Sequence, residues 1–92
     1  MADFLLDLSN TARSYLDTLD KKPFRQVTSK MLDLMKNPFP NDSILLKGQH
    51  RKLHRVDIGE HRIVYSVSNN IVMVENIDKR NDSAAYRFLV RP

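Results

Sequence analysis

The sequence predicts a small α+β domain in which a helical hairpin packs on a mostly antiparallel four-stranded sheet. A length of 92 residues suits one domain, spanning residues 1–92, with a single core. Apolar residues recur at helical spacing in the first half of the chain and in short strand-like runs in the second half. The predicted order is β-α-α-β-β-β-α, with a closing helix over residues 82–90.

The first half of the chain predicts a strand followed by two helices. Phe4–Leu8 is short and apolar, and Ser9 is a suitable N-cap for a helix that runs to Leu19. Pro23 lies in the first turn of the second helix, where its missing N–H costs nothing. Two prolines within Asn37–Asp42 end this helix. Its apolar stripe comprises Phe24, Val27, Met31, Leu34 and Met35.

The second half of the chain changes to the pattern of strands. Leu53–Ile58 and His61–Val67 predict a hairpin, with Gly59–Glu60 as its turn. Ser68–Asn70 predicts a second turn, because asparagine tolerates left-handed backbone angles. Ile71–Ile77 is too apolar for an edge strand and predicts the buried centre of the sheet.

Composition excludes several classes of function. The chain has no cysteine, which excludes disulfides, thiolate catalysis and cysteine-based zinc sites. Its two glycines cannot build a phosphate-binding loop for ATP. No apolar run approaches the ~20 residues of a membrane span, and the acidic N-terminus differs from a signal peptide. We therefore expect a cytoplasmic protein with no membrane partner.

The net charge of +4 comes from the second half of the chain. Residues 47–92 carry nine lysines and arginines against five acidic residues, whereas residues 1–46 are balanced. Adjacent antiparallel strands lie about 5 Å apart, so cations on them can converge. The excess predicts a patch for a polyanion, although it also favours solubility. The cations on or beside the three strands are Lys52, Arg55, Arg62, Lys79 and Arg80.

Arginine and tyrosine are the candidates for binding RNA at this patch. The planar guanidinium donates hydrogen bonds in pairs to phosphate and stays charged. Arg62 alternates with Ile63 and Tyr65, so it lies on the opposite face of its strand; a lone arginine there often only extends to solvent. Tyr86 can stack on a base or pack against the sheet.

The three histidines do not predict a metal site. His50 and His54 are four residues apart, but this spacing spans a loop and the start of a strand, with no carboxylate cluster beside it. His54 is instead a candidate general base, because imidazole titrates near neutral pH. Its parity places it opposite Arg55 unless a bulge intervenes.

The order and spacing of these segments resemble the RelE/ParE superfamily of toxins from bacterial toxin–antitoxin systems, and in particular the RelE-like ribonucleases. The resemblance rests on LKGQHRKLHRVDIGEHRIVYSV and on the tail DKRNDSAAYR, and it covers nearly the whole chain. It implies a metal-independent and cofactor-free endonuclease that cuts mRNA at codons in the ribosomal A site. It also implies a cognate antitoxin that silences the toxin.

The resemblance further implies roles for individual residues. The ribose 2′-OH attacks the adjacent phosphate, and the 5′-OH leaves. Arg62 and Arg55 would contact phosphate, while Arg80 would stabilise the transition state or help to protonate the leaving group. Tyr86 would pack on the base. The remaining RNA-binding cations that we predict are Lys47, Lys52 and Lys79.

Asp57 departs from the family pattern, which often places lysine or arginine there. The general base is therefore open among Asp57, His54 and Lys52, although nearby cations would weaken Asp57 as a base. Asp57 and Arg55 are also suited to a purely structural ion pair. Two other functions stay open: a ParE-like inhibitor of DNA gyrase, and a catalytically inactive relative that binds an antitoxin.

Overall fold

Two helices and a five-stranded sheet form the fold in the computed structural model, which describes residues 3–46 and 52–80. The strands lie in the order β1-β5-β4-β3-β2; β1 pairs with β5 in parallel, and all other neighbours are antiparallel. The predicted α+β class is confirmed. The predicted closing helix lies outside the described residues. In chain order, the elements are β1 (Leu5–Leu8), α1 (Asn10–Asp17), α2 (Lys21–Lys36), β2 (Ile44–Leu46), β3 (Leu53–Ile58), β4 (His61–Ser68) and β5 (Ile71–Lys79).

The sheet differs from the prediction in two respects. It has five strands instead of four, because Ile44–Leu46 forms the edge strand β2 against β3. These three consecutive apolar residues show no alternation, so the sequence pattern did not reveal them as a strand. In addition, β4 is the middle strand, and β5 lies between β4 and β1. The prediction that β5 is not an edge strand is confirmed.

Both helices begin where the sequence predicts, and α1 ends earlier. The Ser9 hydroxyl accepts a hydrogen bond of 3.0 Å from the Ala12 N–H at the start of α1, which ends at Asp17 rather than Leu19. In α2, the buried residues are Val27, Met31 and Leu34, whereas Phe24 at the edge of the predicted stripe is 42% exposed. None of the helices within residues 3–46 and 52–80 is long and apolar enough to cross a membrane.

The core lies between the helices and one face of the sheet. Ile63 and Tyr65 of β4 join this core, while Val64 belongs to a smaller apolar cluster with Leu53 on the opposite face. The predicted alternation along β4 is therefore confirmed. Glu75 is the extra residue of a β-bulge in β5, because Val64 pairs with Asn76 and Tyr65 with Val74.

Two turns hold the antiparallel strands in register. Asn69 and Asn70 both have positive φ angles, of 51° and 66°, as predicted for the turn between β4 and β5. Gly59, with a φ of 58°, makes the turn between β3 and β4. This second turn fixes how the ends of β3 and β4 meet, and it lies beside the candidate site.

Leu34 and Leu32 offer a matched test of the core on one helix. Leu34 is fully buried, whereas Leu32 is 52% exposed. We expect Leu34→Ala to lower the free energy of unfolding by about 2–5 kcal/mol, because it removes buried apolar surface and leaves a cavity. Leu32→Ala should change it by less than about 0.5 kcal/mol. Urea denaturation of both variants measures the difference, and equal effects would contradict this arrangement of α2.

Candidate functional site

Three arginines meet at one carboxylate on the face of the sheet opposite the main core. The Arg62 Nε donates a hydrogen bond of 3.0 Å to Asp57 Oδ1. The Arg55 Nη1 lies 3.3 Å from Oδ1 and 3.2 Å from Oδ2 of the same carboxylate. The Arg80 Nε forms an ion pair of 3.4 Å with Asp57 Oδ2. We call Arg55, Arg62, Arg80 and Asp57 the arginine cluster.

The pairing of β3 with β4 brings the first three members together. Asp57 lies directly opposite Arg62 in the antiparallel register. Arg55 precedes Asp57 by two residues, so its side chain points to the same face. The pairing of β3 with β4 therefore places Arg55 and Arg62, which are seven positions apart in the sequence, beside the same carboxylate.

Arg80 reaches the cluster from the end of β5 because the β3–β4 turn holds it. Its backbone N–H donates a hydrogen bond of 2.9 Å to the Glu60 carbonyl. Its Nη1 donates one of 3.2 Å to the Gly59 carbonyl. The left-handed turn at Gly59 thus presents two carbonyls that fix both the backbone and the guanidinium of Arg80.

A surface hollow of about 350 Å³ lies beside the cluster and is lined by Gly59, Glu60, Arg62 and Arg80. The Arg62 side chain is only 10% exposed, whereas that of Arg80 is 51% exposed. A buried and a more exposed guanidinium thus border one open concavity. Such a pair suits an anion with several oxygens, because arginine donates from a planar fork.

The structure separates two other predicted residues from the arginine cluster. His54 lies on the helix-covered face, where its ring centroid is 5.1 Å from that of Phe39 and 5.5 Å from that of Tyr65. Lys52 lies before the start of β3, roughly 16 Å along the strand from Asp57 at ~3.3 Å per residue. Both were candidate bases: His54 lies on the face opposite the cluster, and Lys52 lies beyond the far end of β3 from Asp57.

The remaining predicted cations and the tyrosine have different positions. Lys79 lines a cleft of about 620 Å³ on the helix side of the sheet. In the same cleft, Tyr15 Oη and His61 Nδ1 are joined by a hydrogen bond of 2.9 Å. Tyr86 and Lys47 lie outside the described residues, so their predicted roles stay predictions.

Sequence reasoning did not select Glu60, which is one of the residues that line the hollow. It was considered only as part of a turn, yet this turn borders the beginning of the strand that carries Arg62. A carboxylate in a turn next to a candidate arginine was the available signal. Within the part of the chain that the structure describes, no three histidine, cysteine, aspartate or glutamate residues are grouped as a metal site would require.

Burial lowers the pKa of His54 from its ordinary value of 6.5, and the nearby charge of Lys52 lowers it further. The folded protein therefore favours the neutral imidazole more than the unfolded chain does. The resulting stabilisation is fully present above pH 6.5. It is lost as the pH falls from 6.5 through the lower pKa of the folded state, because only the unfolded chain readily takes up the proton.

We expect His54→Phe to reduce this loss of stability at acid pH. Phenylalanine retains a ring between Phe39 and Tyr65 but cannot bind a proton. Urea denaturation at pH 7.5 and at pH 5 should show a smaller decrease in the free energy of unfolding for His54→Phe than for the wild type. An equal decrease would show that His54 does not contribute to the acid sensitivity.

Comparison with known proteins identifies the fold. No protein-family model matches the chain, and no curated protein matches its sequence. Among solved structures, the RelE–RelB complex from Pyrococcus horikoshii has a TM-score of 0.76 at 22% identity, covering 86% of this chain and 97% of that one. A RelBE toxin–antitoxin complex from Mycobacterium tuberculosis has a TM-score of 0.76 at 20% identity, covering 87% and 94%.

A free mutant of the Escherichia coli toxin RelE is also similar. Its TM-score is 0.76 at 22% identity, and the match covers 99% of this chain and 97% of that one. The match covers both helices and the sheet. At a sequence identity of 22%, it establishes the shared fold and nothing about activity. The chain has the fold of the RelE toxins.

Proposed function

We propose that the chain is the toxin of a type II toxin–antitoxin system and acts as a ribosome-dependent mRNA endonuclease. The observation that carries the proposal is that Arg62 and Arg80 border one hollow on a sheet with the RelE fold. Two guanidiniums at one concavity suit the phosphate of an RNA backbone. The reaction that we propose inhibits translation by cutting codons in the ribosomal A site.

The proposed chemistry uses charge rather than a metal ion. The 2′-oxygen of ribose forms a bond to phosphorus, the bond from phosphorus to the 5′-oxygen breaks, and a 2′,3′-cyclic phosphate results. The 2′-OH loses its proton to a base, and the leaving 5′-oxygen gains one. Negative charge grows on the phosphoryl oxygens, which Arg62 and Arg80 would stabilise from fixed positions. Tyr86 would stack on the adjacent base.

The partners follow from the same proposal. The similar structures include RelE bound to RelB and a RelBE complex, which supports a cognate antitoxin for this chain. The net charge of +4 favours an acidic partner. The ribosome and mRNA would meet the toxin in the cytoplasm, where the ribosome orients the strand that a surface hollow alone would leave flexible.

A second candidate function is an inactive relative that retains only its antitoxin interface. The observation that favours it is Asp57, whose carboxylate already neutralises one of the three guanidiniums. Cleavage during translation distinguishes the two candidates, since an inactive relative leaves the mRNA intact.

Arg62→Ala and Arg80→Ala test the endonuclease directly. We expect each to reduce cleavage by about 10²–10³-fold, the typical cost of one fixed donor that stabilises a developing anion. Cleavage is measured by primer extension on a defined mRNA during in vitro translation. Arg25→Ala, which removes an exposed arginine from α2, serves as the charge-matched control and should cut like the wild type.

Either of two results would contradict the site. The first is full cleavage by Arg80→Ala, and the second is an equal loss in Arg25→Ala, which would indicate an effect of net charge. Unbroken mRNA with the wild type would refute the endonuclease itself. A DNA supercoiling assay would then test inhibition of gyrase.

Purified mRNA without ribosomes gives an independent test. We expect cleavage to be weak or absent, because the site cannot hold a flexible strand in line for attack. Incubation of the same transcript with and without translating ribosomes in one Mg²⁺-containing buffer measures the difference, and EDTA is added only to a second ribosome-free sample. Rapid cutting of naked RNA would contradict the requirement for the ribosome.

A further inference from the structure

Asp57 is at the centre of the arginine cluster and binds all three of its cations. Its two oxygens lie 3.0 Å from the Arg62 Nε and 3.4 Å from the Arg80 Nε. Both arginines are thus engaged at the nitrogen nearest the stem of the side chain. Because the guanidinium is planar, a bond at Nε also fixes the direction of its outer nitrogens.

The hollow is bordered by the two arginines that Asp57 contacts through their Nε atoms. Among the described residues, those that line it include Arg62 and Arg80 but not Asp57. Asp57 thus contacts two arginines that line the hollow without lining it itself.

The same contact makes the burial of Arg62 tolerable. Its side chain is 10% exposed, and two more guanidiniums lie at the same carboxylate. Three close cations repel one another, and a buried one without a partner is strongly disfavoured. The carboxylate of Asp57 offsets part of the positive charge of the three guanidiniums.

These observations argue against Asp57 as the proton acceptor. A general base must come within about 2.6–3.2 Å of the proton that it removes. Both oxygens of Asp57 already accept from arginine, and the residue does not line the hollow. Glu60, by contrast, is one of the residues that line it.

We propose that Asp57 is a positioning residue that holds Arg62 and Arg80 so that they point at the phosphate in the hollow. The inference rests on the proposed function for its substrate, but the contacts around Asp57 carry it. It has an unusual consequence. Removing an acid beside an anion site should strengthen anion binding by Coulomb attraction alone, whereas loss of positioning should weaken the reaction.

Asp57→Asn separates these two effects, with Asp78→Asn as the matched control. Asp78 pairs with Arg62 in the β4–β5 register, and its carboxylate accepts from the Lys79 N–H. Each variant removes one negative charge near Arg62. We expect Asp57→Asn to lower kcat for cleavage on the ribosome about 100-fold, with KM unchanged or lower, because misplaced groups lose transition-state stabilisation. Asp78→Asn should keep kcat.

The pH profile distinguishes positioning from proton transfer. If Asp57 only positions the arginines, the slower Asp57→Asn enzyme keeps the pH dependence of the wild type. Loss of the acid limb of the profile in Asp57→Asn would overturn the proposal and identify Asp57 as the base. Wild-type kcat in Asp57→Asn would overturn it as well.

Binding of inorganic phosphate tests the inference without requiring activity. We expect phosphate to shift the NMR signals of the Arg62 and Arg80 guanidiniums in the wild type, while both Nε protons stay protected from exchange. In Asp57→Asn this protection should fall, while phosphate should bind as tightly as in the wild type or more tightly, because one negative charge beside the site is gone. Nε protection in Asp57→Asn equal to that of the wild type would overturn the proposal.

The wild-type spectrum keeps the test decisive even if Asp57→Asn does not fold. Loss of Nε protection when phosphate binds would mean that phosphate displaces Asp57, which the proposal forbids. Protection with no cleavage on the ribosome would refute the proposed endonuclease and still support the role of Asp57. The two failures are therefore distinguishable.

Discussion

The pairing of Asp57 with Arg62 across β3 and β4 is the contact on which the candidate site depends. The register that places these residues opposite each other is fixed by the tight turn at Gly59. The same turn offers the carbonyls that hold Arg80. A one-residue slip of this hairpin would send Arg62 into the apolar core and Ile63 to the open face. The core and the cluster therefore constrain each other through one hairpin.

Most of the fold could be predicted because its signals are local. Helical spacing located Val27, Met31 and Leu34, and alternation assigned Ile63 and Arg62 to opposite faces. The edge strand β2 could not be predicted, since three residues carry too little pattern and pair only through contact with β3. The central position of β4 was also missed. It depends on the parallel addition of β1 beside β5, which is a long-range contact with no local signal.

The cations of the site and the ion pair between Arg55 and Asp57 could be predicted, whereas the contacts of Asp57 with Arg62 and Arg80 could not. Arg55, Arg62 and Arg80 were selected because three adjacent strands bring distant cations together, and all three bind one carboxylate. His54 was selected by chemistry, although its parity already opposed it, and the structure places it beside Phe39 and Tyr65. The chemical type of a residue tells which reactions its side chain is able to take part in. The register of the strands determines which groups that side chain faces.

The effect of Asp57 on the candidate site depends on which atoms of the arginines it contacts as well as on its charge. In the sequence, an acid among the cations of a candidate phosphate site predicts weaker binding of phosphate, because like charges repel. In the structure, its oxygens meet the Nε edges of Arg62 and Arg80, and both arginines line the hollow that Asp57 does not line. A cation at position 57 would add attraction but leave the buried Arg62 beside three like charges. Asp57 lowers the total positive charge of the cluster and fixes the orientation of the arginine side chains. Stabilisation of a transition state depends more on oriented hydrogen-bond donors than on net charge.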